Sequence, residues 1–214
     1  MVDPASSKPV PSDPVVARVF SEPDPFLLFA EWLAEASASE PNDAEAMTLA
    51  TVDAEGLPDA RIVLCKGHGA DGFDFYTNDE SAKGRELSAA PRAALVWHWK
   101  SLRRQVRVRG AVVRLPSVAA DAYFATRALR SRIGAIASDQ SRPLDSREAL
   151  ERRADSLERE YAGREPPRPP HWGGYRVVPL AIEFWRDGAF RLHDRRRFTR
   201  AAPGESWESA RLYP

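Results

Sequence analysis

Between residues 47 and 115 the chain is cut into short β-favouring runs separated by turn residues, and this spacing restricts the fold more than any other feature. Five strands are expected, at 47–52, 60–66, 73–77, 93–99 and 105–115, each carrying Val, Thr or aromatic side chains. Asp53-Ala54-Glu55-Gly56 reads as a turn and residues 67–72 as a loop. In the last run Val106 and Val108 alternate with Gln105, Arg107 and Arg109, so one face of that strand meets a core. Parallel neighbours need long crossover connections, and most of these gaps are too short for them. The expectation is an antiparallel barrel with flanking helices, mainly β with α (α+β), rather than a series of βαβ units.

Helices frame the β block. Asp24-Pro25 supplies an N-cap and a proline at the first helical position, followed by Phe26, Phe29, Ala30 and Leu33 at helical spacing. Asn78 and Asp79 are candidate caps for a short helix through Leu87. Two more helices are expected, one capped by Ser117 and ending near Thr126, the other opened by an Asp145/Glu148 capping box. Leu150, Ala154, Leu157 and Tyr161 form the stripe of that second helix, and Gly163 closes it. Four prolines within residues 165–170 make a stiff linker to the last strands. Residues 1–22, punctuated by Pro4, Pro9, Pro11 and Pro14, read as a flexible arm; residues 23–214 read as one domain.

Charge bears on partners. Lys+Arg and Asp+Glu both number 31, so no global field favours nucleic acid or an anionic membrane. Basic residues nevertheless cluster: residues 100–109 hold five and no acid, and residues 191–200 hold five Arg against one Asp. Anion sites are therefore expected locally. The single cysteine, Cys65, excludes an intramolecular disulfide and a multi-cysteine metal site. The N-terminal residues lack the apolar run of a signal peptide and no stretch is long enough for a membrane span, so a cytoplasmic location is expected.

The chemistry is carried by scattered groups. His68, His98, His171 and His193 lack metal-ligand spacing, and no dinucleotide fingerprint, phosphate-binding P-loop or nucleophile elbow is present. Arg61, Lys66, Lys83 and Gln105 could hold a phosphate together with the positive end of the short helix. Tyr123 and Arg127 lie four apart on a helical face that Ser131 would continue, a second potential phosphate pocket. Near the C-terminus, Ile182 to Arg186 reads as a strand, Asp187-Gly188 as a tight turn, and Arg191, His193 and Arg195 as one face of a second strand. Two guanidiniums around an imidazole suit an anionic ligand undergoing proton or hydride chemistry; a solvated edge strand is the alternative.

Taken in order, Arg61-Ile62-Val63-Leu64-Cys65-Lys66, Phe75-Tyr76-Thr77-Asn78, Arg104 through Gly110, Gln140-Ser141, Trp172-Gly173-Gly174-Tyr175-Arg176 and Glu183 through Arg195 resemble the pyridoxine (pyridoxamine) 5′-phosphate oxidase family. The resemblance runs from about Asp24 to Pro214. It implies an FMN-binding split antiparallel β-barrel, a homodimer with each flavin at the subunit interface, and conversion of pyridoxine or pyridoxamine 5′-phosphate to pyridoxal 5′-phosphate. Dioxygen would be the acceptor and hydrogen peroxide the product. By the same resemblance Arg61, Ile62, Val63, Leu64, Cys65, Lys66, Tyr76, Thr77, Lys83, Gln105, Gln140, Ser141, Trp185 and Arg195 contact FMN. Lys66, Tyr123, Arg127 and Ser131 hold the substrate phosphate, while Arg191, Leu192 and His193 lie over the substrate ring, with Arg191 and His193 catalytic. Ala82 replaces an Arg common in the family, and Ala128, Arg132 and Ile136 replace its usual Pro, Gln and Trp.

Three other readings compete. One is a related flavin oxidase acting on another ring, of the phenazine-pathway kind. A second is a non-catalytic barrel that binds flavin or pyridoxal phosphate. The third is a nucleic-acid-binding barrel using Trp97 and Trp99 beside the basic strand.

Overall fold

The computed structural model describes residues 13–214. Nine strands form a single sheet, joined antiparallel throughout: β1 (Ala46–Val52), β2 (Pro58–Leu64), β3 (Gly67–Gly69), β4 (Gly72–Asn78), β5 (Arg92–Trp99), β6 (Arg104–Arg114), β7 (Trp172–Arg186), β8 (Asp194–Thr199) and β9 (Glu208–Arg211). The main path runs β2-β1-β5-β6-β7-β4-β3, with β8 and β9 branching from β7. The five expected strands are present, and the segment read as a loop at 67–72 contains the short strand β3.

The sheet branches because β7 is fifteen residues long. One edge pairs with β6 from Tyr175 to Arg186; the other pairs with β4 at Trp172–Val177 and with β8 at Ala181–Arg186. Between those halves sits Pro179, which has no N–H to give a ladder. The β6–β7 register slips at the same place: Gly110 faces Pro179 while Arg109 faces Ala181. A Cβ on Gly110 would come within 2.0 Å of the Val178 carbonyl oxygen, so only glycine fits this bulge.

Helix α2 (Pro25–Ser39) closes one face, with Asp24 accepting from the Phe26 N–H at 2.8 Å as the sequence predicts. Its Phe29 meets Phe73 and Trp97 edge-on with ring centroids 4.9 Å away, and Trp32 meets Phe184 at 5.2 Å. Val106 and Val108 lie in the same core. So do Trp97 and Trp99, which removes them as a stacking platform for nucleic-acid bases.

Several local expectations are corrected. Pro14–Ser21 is a helix, α1, rather than part of a loose arm: Asp13 caps it, Val19 is buried, and Arg196 donates to the Val19 and Glu22 carbonyl oxygens at 2.7 and 2.6 Å. Residues 1–12 lie outside the described residues. Helix α3 (Ala82–Ala89) is capped by Ser81, not Asn78 or Asp79. Asn78 and Asp79 instead shape the turn before it, where the Glu80 N–H donates to the Asn78 side chain at 2.8 Å.

The inserted helices number three, not two: α4 (Ser117–Thr126), α5 (Leu129–Ala137) and α6 (Arg147–Glu160). Pro116 takes the cap position before α4, so Ser117 is the first helical residue. For α6 the cap is Ser146, which accepts from Ala149, in place of the expected Asp145/Glu148 box. The Leu150 stripe is only partly covered; α6 buries no residue fully.

Gly110→Ala should destabilise the protein by about 2–3 kcal/mol, since the clash is with backbone that cannot rotate away. Urea unfolding reads this directly, and a change below about 0.5 kcal/mol would show that the bulge tolerates a side chain.

Candidate active site

A cleft of about 580 Å³ opens where the end of β4, the edge strand β2 and helices α3 to α5 converge. Arg61, Ile62, Val63, Leu64 and Lys66 line it from one side, with Tyr76, Thr77 and Lys83 beside them. Tyr123, Arg127, Ser131, Gln140 and Trp172 complete it. The residues expected as two phosphate pockets thus line one cavity.

Lys83 is the most informative. Its side chain is buried, and its ammonium donates to the Gln140 carbonyl oxygen at 2.8 Å and to the Ser81 hydroxyl at 3.2 Å. Both partners are neutral. Burial, with a smaller contribution from the Arg61 charge, holds its pKa below the usual lysine range. Thr77 sits on the same Gln140 oxygen, at 3.4 Å.

Arg127 repeats the pattern. Its guanidinium stands 5.2 Å from the Trp172 ring centre and its Nη1 is buried without a hydrogen-bond partner among the described residues. Burial lowers its pKa as well. Tyr123, Arg127 and Ser131 were expected on one continuous helical face; the structure breaks the helix at Arg127, which is extended at φ −74° and ψ 145°. The Arg127 side chain lies over Trp172, and the restart at Leu129 returns Ser131 to the cleft.

An aromatic layer underlies these cations. Tyr76 stacks on Tyr123 at 4.2 Å and on Trp172 at 5.4 Å, with planes 21° and 9° apart. Gly174 makes room for it, because a Cβ there would meet the Tyr76 ring at 2.7 Å. Trp172 and Ser81 were not singled out as site residues from the sequence. The Trp-Gly-Gly run was the available signal for the first; the second had only its position three residues before Gly84, to whose N–H it is the cap.

The other cations are already paired. Arg61 bonds Thr51, Asp59 at 2.6 Å and Glu86 at 2.9 Å, and Lys66 bonds Glu45 at 2.9 Å. Cys65 turns its side chain into the core, where burial pushes its thiol up to about 12.

The remaining candidates lie elsewhere. Gln105 on β6, Trp185 on β7 and Arg195 on β8 are in register and form one row across the sheet. Tyr76 pairs with Gly174, eleven residues back along β7 from Trp185, which is roughly 35 Å of strand. Arg195 is held by buried Glu183, receiving its Nε and Nη2 at 3.0 and 2.7 Å. Ser141, at φ 70°, belongs to the turn after Gln140 and does not line the cleft.

Arg191 and His193 are not on a strand, contrary to the alternating pattern. Ala189–Arg191 is a single 3-10 turn with Phe190 and Arg191 at φ 54° and 65°, and β8 begins only at Asp194. The turn folds His193 back against Trp185 at 4.7 Å and leaves Leu192 exposed. Arg191, His193 and Trp185 nonetheless share a separate open cavity of about 810 Å³. Among the described residues no group of His, Cys, Asp or Glu is placed to hold a metal ion, and no helix is long and apolar enough to cross a membrane.

Native Cys65 should react with a neutral-pH thiol reagent at least about 100-fold more slowly than in urea, because it is buried and carries little thiolate. Equal rates in both conditions would place the thiol outside the core.

The comparisons with known proteins agree with this architecture. Residues 33–159 match the family model described as pyridoxamine 5′-phosphate oxidase, and residues 172–214 match the pyridoxine 5′-phosphate oxidase C-terminal dimerisation region. A pyridoxine/pyridoxamine 5′-phosphate oxidase from Azorhizobium caulinodans is 60% identical over 95% of this chain and 97% of its own. One from Caulobacter vibrioides is 59% identical over 92% and 87%. Among solved structures, PhzG from Burkholderia lata, in complex with tetrahydrophenazine-1-carboxylic acid, superposes with a TM-score of 0.85 at 32% identity, over 91% of this chain and 94% of that one. An FMN-binding protein from Nostoc punctiforme shares the fold at a TM-score of 0.71 and 19% identity, covering 89% of this chain and 98% of that one. The expected split-barrel fold is borne out, and the chain belongs to the pyridoxine/pyridoxamine 5′-phosphate oxidase family.

Proposed function

We propose that the cleft holds FMN and a phosphorylated B6 vitamer together, and that the protein oxidises pyridoxine or pyridoxamine 5′-phosphate to pyridoxal 5′-phosphate with dioxygen as acceptor. The observation that carries this reading is the presence in one cleft of a buried Lys83 and a half-buried Arg127 whose Nη1 is shut off from solvent, neither of which forms an ion pair among the described residues. Burying an uncompensated charge is costly, and an anion at each position offsets that cost. Two phosphates supply those anions.

In this reading Lys83, with Thr77 and Gln140, holds the FMN phosphate, and the Arg61–Lys66 segment lies along the flavin. Tyr76 belongs to the same set. Arg127, Tyr123, Ser131 and Lys66 hold the substrate phosphate. The row of Gln105, Trp185 and Arg195, with Arg191, Leu192 and His193, lies too far along β7 to reach this cleft within one chain. A second copy supplies it, consistent with the dimerisation region at 172–214. Bound there, FMN would supply the hydride acceptor for the vitamer ring's substituent carbon and a route for the electrons to dioxygen. The protein's own contribution is positional: two phosphate grips fix the ends of the ligands, and the aromatic layer walls off water. Arg191 stabilises negative charge on the substrate ring, and His193 exchanges a proton with the reacting substituent.

The phenazine-pathway neighbour supports a second reading, oxidation of a ring without phosphate. The acid bound to that neighbour carries a carboxylate, which also answers a cation, so the two readings are separated by whether Arg127 holds a phosphate or a carboxylate.

Lys83→Met should weaken FMN binding roughly 10–100-fold by fluorescence titration, the loss of one charge-assisted hydrogen bond. Arg127→Met should leave FMN affinity within about twofold and raise KM for pyridoxine 5′-phosphate by a similar 10–100-fold factor. An unchanged KM in the second variant would remove Arg127 from the substrate pocket and favour the unphosphorylated ring.

A further inference from the structure

The turn between β4 and α3 is fastened from outside the cleft by Asp79, a residue that belongs to neither set of phosphate-site candidates. Strand β4 ends at Asn78 and α3 begins at Ala82, so residues 79–81 carry the chain from one to the other. Ser81 links this turn to the cleft. Its hydroxyl donates to the Asn78 carbonyl oxygen at 2.7 Å and accepts from the Lys83 ammonium at 3.2 Å. Asp79 itself does not line the cleft. Its Oδ1 accepts from the Tyr175 hydroxyl at 2.7 Å, its Oδ2 pairs with Arg114, and its N–H donates to the His171 carbonyl oxygen at 2.6 Å. Arg114 and Tyr175 are cross-strand partners on β6 and β7, so one carboxylate bonds the turn to two strands. Its side chain is only 15% exposed, which limits screening of these contacts. Burial, followed by the bond to Asp79, raises the Tyr175 pKa, so the hydroxyl keeps its proton and remains the donor. Two glycines let the parts close up. A Cβ on Gly173 would lie 3.0 Å from both Asp79 Oδ1 and Arg114 Nη2, and one on Gly84 would lie 2.1 Å from the Asp79 carbonyl oxygen.

We propose that Asp79 is a positioning residue for the anion subsite at Lys83: by holding Ser81 and the start of α3 in place, it sets the preference for a phosphorylated over an unphosphorylated flavin. This consequence rests on the reading that the FMN phosphate lies at Lys83. A lysine ammonium sits on a flexible four-carbon stem, so it points where its surroundings direct it. Here those surroundings are Gln140 and Ser81, and Ser81 stands on the turn that Asp79 holds. Hydrogen bonds weaken steeply as their geometry departs from the optimum, so a loosened turn weakens the grip on a phosphate. Charge alone argues for the opposite sign. Asp79 is an anion close to a site for an anion, and removing it without moving the turn would tighten phosphate binding. The direction of the change therefore separates position from charge.

The test titrates the full-length protein with FMN and with riboflavin, which lacks the phosphate, while flavin fluorescence is followed. The ratio of the two Kd values is the phosphate preference. Asp79→Ala should lower that preference roughly 5–30-fold, part of what the charge-assisted bonds at Lys83 supply, with riboflavin affinity within about twofold of the wild type. Tyr175→Phe keeps the ring on Phe75, at 5.5 Å, and removes one of the two side-chain contacts, so it should lower the preference by a smaller factor of about threefold. It carries the same test if Asp79→Ala does not fold. In a Lys83→Met background Asp79→Ala should take away no further preference, because it acts through that ammonium. An unchanged or increased preference in Asp79→Ala overturns the proposal. So does an equal fall in FMN and riboflavin affinity, which would make Asp79 a support of the fold alone, and so does a loss that persists in full in the Lys83→Met background. A Lys83→Met variant that keeps the wild-type preference overturns the FMN reading and this consequence with it, whereas a loss in Lys83→Met but not in Asp79→Ala overturns the role of Asp79 alone.

Discussion

Strand β7 is the constraint on which the rest of the molecule depends. It pairs with β6 along one edge and shares its other edge between β4 and β8. That division requires a break in the ladder, and Pro179 with the Gly110 bulge supplies it. The branch gives the barrel its split form. It also puts the β4 end, with Tyr76 and Thr77, far from the β8 end, with Trp185 and Arg195. A site that uses both ends requires two chains, and the C-terminal match to a dimerisation region covers the strand that imposes the separation.

The cleft itself is shaped by charge burial. Most cations of this protein face carboxylates: Arg61 with Glu86, Lys66 with Glu45, Arg195 with Glu183. Lys83 and Arg127 do not, and burial lowers the pKa of both. Arg196 is also buried without a carboxylate, but the Val19 and Glu22 carbonyl oxygens satisfy it, whereas Lys83 and Arg127 border an open cleft, which is why we propose that a ligand completes them. The neutral partners Ser81 and Gln140 orient Lys83 without cancelling its charge. Trp172 does the same for Arg127 through its ring face.

Much of this was legible in the sequence because it depends on local pattern. The alternation of Val106 and Val108 fixed the inward face of β6, and Asp24-Pro25 fixed the start of α2. What failed depends on tertiary contacts. The Arg191/His193/Arg195 alternation looks like a strand, but a pairing partner for the segment begins only at Asp194. The preceding residues close a turn instead, with Gly188 under the Leu192 carbonyl and His193 drawn back to Asp187. Tyr123, Arg127 and Ser131 have helical spacing, yet the backbone is extended at Arg127, whose side chain lies over Trp172, distant in sequence. Helix caps shifted by one to three residues, to Ser81 and Ser146, because neighbouring Asn, Asp and Ser side chains offer the same chemistry and the surrounding turn chooses among them. The helix α1 was hidden by prolines, although Asp13-Pro14 carries the same start signal as Asp24-Pro25.

The most direct measurement of the central claim is anaerobic mixing of the FMN-loaded protein with pyridoxine 5′-phosphate while the visible flavin band is followed. The account predicts bleaching on mixing and recovery of the band, with hydrogen peroxide, when air is admitted. A yellow protein that stays yellow with both pyridoxine and pyridoxamine 5′-phosphates would contradict it, and would assign the two-cation cleft to a different ligand.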